Sequence, residues 1–301
     1  MRNKMASRLM RRRPVTRDSV VWRRPSLLGL ITWSYLAWSI VPILIAVRLS
    51  FNVGPSAGRV NGYSLRWYAE GLTDPRLRAA LLQSARLGLL TVLVATPLGV
   101  ALALGLSRWH GAFARLAGTL VLLCLATPEI ALAAALFVVF LYLFTFVRLS
   151  TVAQLLGHIT FAMSYVVIVL TARLTTMGRE YEEIAMDLGA SPRQVVRFVL
   201  LPLLLPAIIA VGMIAFTLSL NDFVISRFLC IPSDCLTLSV ILYNGGGAID
   251  SPSLNAIGTT LMVSSLVAVG LAAGIERWFA HRRGTREGSL RDPPPPGLAS
   301  R

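Results

Sequence analysis

Six apolar runs, each long enough to cross a lipid bilayer, constrain what this chain can fold into. A helix of about 20 predominantly apolar residues spans the hydrocarbon core. Only 14% of the 301 residues are charged, against about 25% in a soluble domain. The expected fold is therefore all-α, a polytopic membrane protein with six transmembrane helices. We predict these spans at about Leu27–Phe51, Leu81–Leu106, Leu116–Phe146, Thr151–Thr175, Leu203–Ile225 and Ala256–Phe279.

The positions of the basic residues predict how the spans are oriented. The formal net charge of +15 would suit a nucleic-acid partner, but 21 of the 29 Lys and Arg residues lie on the side that holds both chain ends. Cytoplasmic segments carry an excess of Lys and Arg. We therefore expect both termini in the cytoplasm and no nucleic-acid partner. The flanking regions are predicted as a basic cytoplasmic tail at 1–28, a first transmembrane helix with an outer segment at 29–78, and a disordered cytoplasmic tail at 281–301.

Between the fourth and fifth spans lies Glu180–Pro206, which carries six charges in its first eighteen residues. We predict a short helix over about Arg179–Leu188, ended by Gly189 because glycine tolerates the left-handed conformation that closes helices. A tight turn would join two spans more simply. The segment is therefore interpreted as a contact surface for a partner in the aqueous phase.

A second short helix is predicted directly after this corner. Ser191 is a good N-cap, Pro192 suits the first helical position, and Gln194 completes an S-x-x-Q capping box. The helix–Gly–Ser–Pro–helix outline also occurs in DNA-binding helix-turn-helix motifs. The flanking spans hold this segment at a bilayer, which favours the contact-surface interpretation.

Part of this segment resembles a known family signature. Glu183-Ile184-Ala185, then Gly189, then Val199-Leu200-Leu201-Pro202 follow the pattern E-A-A, three residues, G, nine residues, I-x-L-P. That pattern marks the membrane subunits of binding-protein-dependent ABC importers. Ile184 stands where the family has alanine, and Val199 where it has isoleucine. The resemblance implies a five-helix ABC transmembrane type-1 core, here about residues 79–275, in a bacterial inner membrane.

The resemblance also implies partners. These are a pair of cytoplasmic ATP-binding subunits, a second permease subunit that makes a heterodimer, and an extracytoplasmic solute-binding protein. ATP hydrolysis would belong to the partner chain, so this chain is expected to be a transport subunit, not an enzyme, and to hold no cofactor or metal. The residues expected to couple to the ATPase are Glu182, Glu183, Ala185, Asp187, Gly189, Ala190, Ser191 and Pro192.

Several stretches resemble the spermidine/putrescine branch of this family, which implies a polyamine as solute. Related permeases for ferric iron, thiamine or an amino-acid derivative remain open. So does a secondary transporter driven by an ion gradient, which would work without an ATPase, and a membrane scaffold without transport. The stretches that carry the resemblance are 216–226, Thr127-Pro128-Glu129-Ile130, 157–161 and Ser253-Leu254-Asn255-Ala256.

Two acidic residues at membrane depth are candidate solute contacts, because an ionisable residue there is costly. Glu129 follows Pro128 in the third span, and at 1.5 Å per residue it would lie roughly 20 Å along that helix. Asp222 follows Asn221 near the outer end of the fifth span. Carboxylates only accept hydrogen bonds and suit a cationic solute. Alternatively, Glu129 bonds to a neighbouring helix and Asp222 lies in the outer interface.

The remaining polar and sulfur-containing residues suggest structural roles. His158 is expected to pack in the fourth span with one hydrogen bond, and Cys124 to be a small buried hydrophobe. Cys230 and Cys235 could form a disulfide if their loop faces an oxidising compartment. The glycines at 245–247 follow no strand and precede no Lys-Ser pair, so we interpret them as a flexible outer loop rather than a phosphate site.

Overall fold

The computed structural model describes residues 27–54, 62–109, 111–232, 235–244 and 252–291. Helix is its dominant secondary structure. π-Helical segments follow α5 at Val139–Leu143 and α8 at Val195–Leu200. The helices of the described residues are α1 (Leu27–Ser50), α2 (Arg66–Thr73), α3 (Pro75–Arg108), α4 (Ala112–Ala126), α5 (Glu129–Val138), α6 (Thr151–Met177), α7 (Glu180–Asp187), α8 (Pro192–Gln194), α9 (Leu201–Asn221), α10 (Val224–Leu229), α11 (Leu238–Asn244) and α12 (Pro252–Arg291).

The membrane-length helices agree with the predicted all-α fold. In the part of the chain that the structure describes, five helical stretches are long and apolar enough to cross a bilayer. The helices α4 and α5 make a sixth span if the bent pair is counted as one. The five stretches are Gly29–Ser50, Pro75–Arg108, Thr151–Met177, Pro192–Asn221 and Pro252–Ile275.

The third predicted span is not one continuous helix. α4 ends at Ala126, α5 begins at Glu129, and the two axes differ by 113°. Thr127 is extended, with φ −73° and ψ 130°, because the ring of Pro128 disfavours the helical conformation of the residue before it. Glu129 is therefore the first residue of a new helix, and its expected position 20 Å along one axis is wrong.

Other helix boundaries also differ from the predicted ones. The fifth span ends at Asn221, and Val224–Leu229 forms the separate helix α10. The third helix of the chain starts at Pro75, where Asp74 Oδ1 accepts from the Arg76 and Leu77 amides. The segment between the first two predicted spans contains the short helix α2. The last helix continues to Arg291, so residues 281–291 are helical where a disordered tail is expected. The glycines at 245–247 and the tail up to residue 26 lie outside the described residues.

The chain divides into two compact units, Met1–Ile45 and Ala46–Arg301. The described part of the first unit is the stretch of α1 up to Ile45, whose apolar side chains are mostly exposed, as Trp33 and Trp38 illustrate. Such a surface is what a helix presents to lipid or to another apolar partner.

The second unit is built around α3, α6 and α9, which pack on one another through small and branched residues. Ala95 of α3, Val166 and Leu170 of α6, and Leu204 and Val211 of α9 are fully buried in this cluster. A second cluster joins α5, α6 and α10, and a third joins α3 to α11 and α12. In lipid, small side chains at helix interfaces allow close backbone approach.

Gly157 shows how tight the second cluster is. A Cβ atom added there would lie 2.6 Å from Ile225 Cγ2 and 2.7 Å from Leu229 Cδ1. Gly157→Ala should therefore destabilise the protein by about 1–3 kcal/mol by forcing α6 and α10 apart. Gly118 of α4 has nothing within 4 Å of such an atom, so Gly118→Ala should be neutral or stabilising. Thermal unfolding of both variants in detergent tests the pair, and equal midpoints would contradict this packing.

Candidate functional site

The turn after α7 is a hydrogen-bonded Schellman motif. The Gly189 amide donates to Met186 O at 2.9 Å, and the Ala190 amide donates to Ala185 O at 3.0 Å. Gly189 has φ +87°, the left-handed conformation in which a side chain is strained. The predicted helix end is confirmed. We call Glu180–Leu200 the elbow.

The second half of the elbow begins with the predicted capping box. The Ser191 amide donates to Gln194 Oε1 at 2.8 Å, and Pro192 occupies the first turn of α8. The chain then widens into the π-helical segment Val195–Leu200 before α9. Pro202 lacks an N–H and its ring crowds the preceding turn, which suits a local π-helical winding. The elbow therefore continues into a membrane helix through unbroken helical backbone.

One side of the elbow faces the protein core. Ala185 and Ala190 pack, half-buried, against the cluster of α3, α6 and α9, and Val195 and Leu200 are buried within it. Other side chains of the elbow are apolar yet exposed, with Leu188 at 83%, Ile184 at 59% and Tyr181 at 52%. We call these three residues the docking patch. A contiguous exposed apolar surface rimmed by polar residues is typical of an interaction site.

The eight predicted coupling residues do not share one environment. Glu183, Asp187, Gly189, Ser191 and Pro192 are exposed, whereas Ala185 and Ala190 are half-buried. Glu182 is buried, and its carboxylate forms an ion pair with Arg108 at the end of α3. Glu182 therefore points into this chain rather than outward. The docking patch was missed because the sequence analysis weighed charges and turn residues, although Ile184 within the signature was a signal.

A buried polar network lies at the other end of α9. It consists of His158, Ser219, Asp222 and Ser226, all at most 7% exposed. His158 Nδ1 lies 2.7 Å from Ser219 Oγ, and its Nε2 lies 2.9 Å from Asp222 Oδ2 and 3.0 Å from Ser226 Oγ. The expected single hydrogen bond of His158 is therefore wrong, because α9 and α10 both turn polar groups toward it.

Asp222 also caps α10. Its Oδ1 accepts from the Ile225 amide at 3.2 Å and its Oδ2 from the Ser226 amide at 3.0 Å. These amides open a helix and lack partners within it, so a carboxylate satisfies them. Asp222 is 7% exposed, and the alternative that it lies in the outer interface stays a prediction. Glu129, half-buried at the start of α5, places its carboxyl beside that of Asp222.

Asn221, unlike the adjacent Asp222, is exposed. Its Nδ2 donates to Thr217 O at 3.0 Å and to Ser265 Oγ of α12 at 2.8 Å. It borders a cavity of about 560 Å³ between α9, α11 and α12. In the same cavity the rings of Phe223 and Tyr243 stack with centroids 3.8 Å apart. The sequence analysis missed this aromatic pair, since 20 residues separate its members.

The loop after α10 is tied to α6. Cys230 and Cys235 form a disulfide in the structure, which settles the alternative that the sequence left open. The buried Gln154 Nε2 donates to Ser226 O at 3.2 Å and to Cys235 O at 3.1 Å. Cys124, in contrast, is a half-buried free cysteine whose Sγ lies 3.7 Å from Thr160 O.

Known proteins are similar to this chain in sequence or in fold. The family described as the binding-protein-dependent transport system inner membrane component matches residues 95–283. The spermidine/putrescine transport system permease protein PotC of Escherichia coli (strain K12) is 32% identical over 242 residues, 80% of this chain and 90% of that protein. The putrescine transport system permease protein PotI of the same strain is 31% identical over 283 residues, 91% and 95% of the two chains.

A solved structure of a bacterial ABC transporter involved in the import of the acidic polysaccharide alginate superposes with a TM-score of 0.69 at 18% identity, over 84% of this chain and 96% of that one. The MetNI methionine ABC transporter superposes with a TM-score of 0.54 at 19% identity, over 70% and 96%. Their likeness supports the fold. The matches in sequence show that this chain belongs to the family of inner membrane components of binding-protein-dependent transport systems.

Proposed function

We propose that this chain forms half of the translocation pathway of an ATP-driven importer and that a cytoplasmic ATP-binding subunit docks on the elbow. The elbow carries the proposal, because it is a capped, hydrogen-bonded surface on the cytoplasmic side, with a core-facing side and an exposed apolar side. A contact that transmits force must be stiff. The Schellman turn at Gly189 and the capping box at Ser191 supply that stiffness from within the backbone.

Co-purification tests this proposal. The chain should be isolated with an ATP-binding subunit in a complex whose ATP hydrolysis is stimulated by the solute-loaded binding protein. A chain that transports solute alone down an ion gradient, with no ATPase bound, would instead be a secondary transporter. Family membership argues against a secondary transporter, and co-purification tests this directly.

The docking patch gives a sharper prediction. Leu188→Ser and Ile184→Ser should each weaken binding of the ATP-binding subunit by about tenfold or more, because interface anchors of this size contribute about 1–2 kcal/mol or more. Thr175→Ser, on the exposed cytoplasmic end of α6, is the control and should bind normally. The measurement is the amount of ATP-binding subunit retained at increasing dilution. Unchanged retention in both patch variants would show that the subunit docks elsewhere.

For the solute, we propose a polyamine. The names of the relatives PotC and PotI support this choice, and so does the cavity beside Asn221. An organic ammonium is attracted to the face of an aromatic ring, which the stacked Phe223 and Tyr243 offer. The Asn221 amide and the Ser239 hydroxyl border the same cavity and supply polar groups. We propose Asn221 as the pathway contact, with Asp222 holding α10 in position and Glu129 a candidate contact at its half-buried carboxyl.

Uptake by the reconstituted transporter separates polyamines from the alternative solutes. Spermidine or putrescine should be taken up and should compete with each other. Ferric iron, thiamine and amino-acid derivatives should neither be taken up nor compete. Uptake of one of these instead, with normal ATPase coupling, would overturn the proposed solute while leaving the proposed permease role intact.

We further propose that the extracytoplasmic solute-binding protein contacts the segments between α1 and α3 and between α10 and α12, and that a second permease subunit completes the pathway. The disulfide at Cys230–Cys235 and the Gln154 hydrogen bonds fix one of these loops against α6. A fixed loop suits a docking site, because less entropy is lost when the partner binds.

A further inference from the structure

The ion pair between Arg108 and Glu182 connects the elbow to a membrane helix that is not its neighbour in sequence. Arg108 is the last residue of α3, and Glu182 lies in the first turn of α7. Their side chains are 26% and 11% exposed. Each charge lies at the helix end that favours its sign, since helix C-termini stabilise cations and N-termini stabilise anions.

A second contact reinforces the same junction. Arg179, the residue before α7, donates from Nη2 to Ser107 O at 3.4 Å. That carbonyl belongs to the last turn of α3, where backbone oxygens have no partner within the helix. Two arginines and one glutamate therefore join the end of α3 to the start of α7.

The ion pair is not expected to add much to the free energy of unfolding. A buried ion pair often contributes no more than well-packed apolar residues would, because both charges lose their hydration. The described contacts also leave Arg108 Nε buried without a hydrogen-bond partner, which adds a further cost. The pair is directional, however, and fixes one helix end against the other.

We propose that Arg108 and Glu182 are positioning residues that transmit movement of the elbow to α3. The inference rests on the proposed docking of an ATP-binding subunit on the elbow. The elbow is continuous in sequence with α6 and α9, so these helices move with it through the backbone. α3 is joined to these helices by side-chain contacts, and the ion pair ties its end directly to the elbow. Closure of the ATP-binding subunits then displaces α3, α6 and α9 together rather than separating α3 from the cluster it packs in.

The test uses the complete transporter reconstituted in proteoliposomes, with its ATP-binding subunits, second permease subunit and solute-binding protein. Three quantities are measured for each variant: the ATP-binding subunit retained, the ATP hydrolysed and the solute taken up. Glu182→Gln and Arg108→Gln should retain the ATP-binding subunit but lower uptake per ATP hydrolysed by about tenfold, within the range of ordinary coupling energies. Arg115→Gln, which is exposed and outside the elbow, should behave as the unmodified chain does.

The double variant Arg108→Gln/Glu182→Gln separates coupling from simple stability. Removing both charges leaves no buried unpaired charge, so folding and assembly should recover even where a single variant assembles poorly. Uptake per ATP should nevertheless stay low in the double variant. Recovery to the value of the unmodified transporter would overturn the inference, because the single variants would then have suffered only from an unpaired charge. Failure of the unmodified chain to retain any ATP-binding subunit would instead refute the proposed function itself.

Discussion

Alanine in place of Asp222 is expected to lower the free energy of unfolding by about 3 kcal/mol or more, because the change leaves His158 and two amides of α10 buried without their acceptor. The Ser226 hydroxyl loses its carboxylate partner as well. This loss is measured by thermal or denaturant unfolding in detergent. The readout is the fraction of protein that stays monomeric.

Asp74 provides a matched control for this change. It caps α3 through the Arg76 and Leu77 amides as Asp222 caps α10, but it is exposed. Asp74→Ala should cost about 1 kcal/mol, the usual value of an N-cap. If Asp222→Ala destabilises no more than Asp74→Ala does, the buried network adds nothing beyond a cap.

Valine in place of Gly189 is expected to uncouple ATP hydrolysis from uptake. A β-branched residue at φ +87° strains the backbone by about 1 kcal/mol or more, which is enough to shift a two-state equilibrium by a factor of about 5. Nothing lies within 4 Å of the added Cβ atom, so the effect comes from the backbone and not from a clash. The ratio of solute taken up to ATP hydrolysed measures it.

Asparagine at position 189 tests whether backbone strain causes this effect. Asn enters the left-handed region far more readily than valine does, so Gly189→Asn should retain most of the coupling. Equal uptake per ATP in the valine variant and the unmodified chain would show that the turn at Gly189 does not set the geometry of the elbow.

The elbow was predictable because its signals are local. Gly189, Ser191, Pro192 and Gln194 each act on residues within one helical turn, and the structure forms the turn and the capping box that they predict. The membrane-length helices were predictable for the same reason, because the hydropathy of a continuous run decides them.

The parts that sequence reasoning missed depend on contacts between distant residues. The partners of His158 lie 61 to 68 residues away in the chain, and Arg108 lies 74 residues from Glu182. No periodicity within a helix encodes such pairs. Two of the differences had local signals. Pro128 indicated the break between α4 and α5, and Asn221-Asp222 is a pair of residue types that favours helix caps over helix interiors.

The side of the membrane on which the elbow lies was also predicted from the sequence. The asymmetric distribution of Lys and Arg along the chain predicts the cytoplasmic side. The elbow is proposed to contact the cytoplasmic ATP-binding subunit. The proposed function depends on that contact more than on any other.

Cross-linking from Leu188 tests the contact directly. Leu188→Cys in a Cys124→Ser background carries a single free thiol, since Cys230 and Cys235 are joined. In membranes that hold the complete transporter, a short bis-maleimide should link this thiol to a cysteine introduced on the surface of the ATP-binding subunit, and ATP should change the yield. Labelling of Leu188→Cys by an impermeant maleimide added outside intact cells, or cross-linking to the solute-binding protein, would contradict the proposed docking.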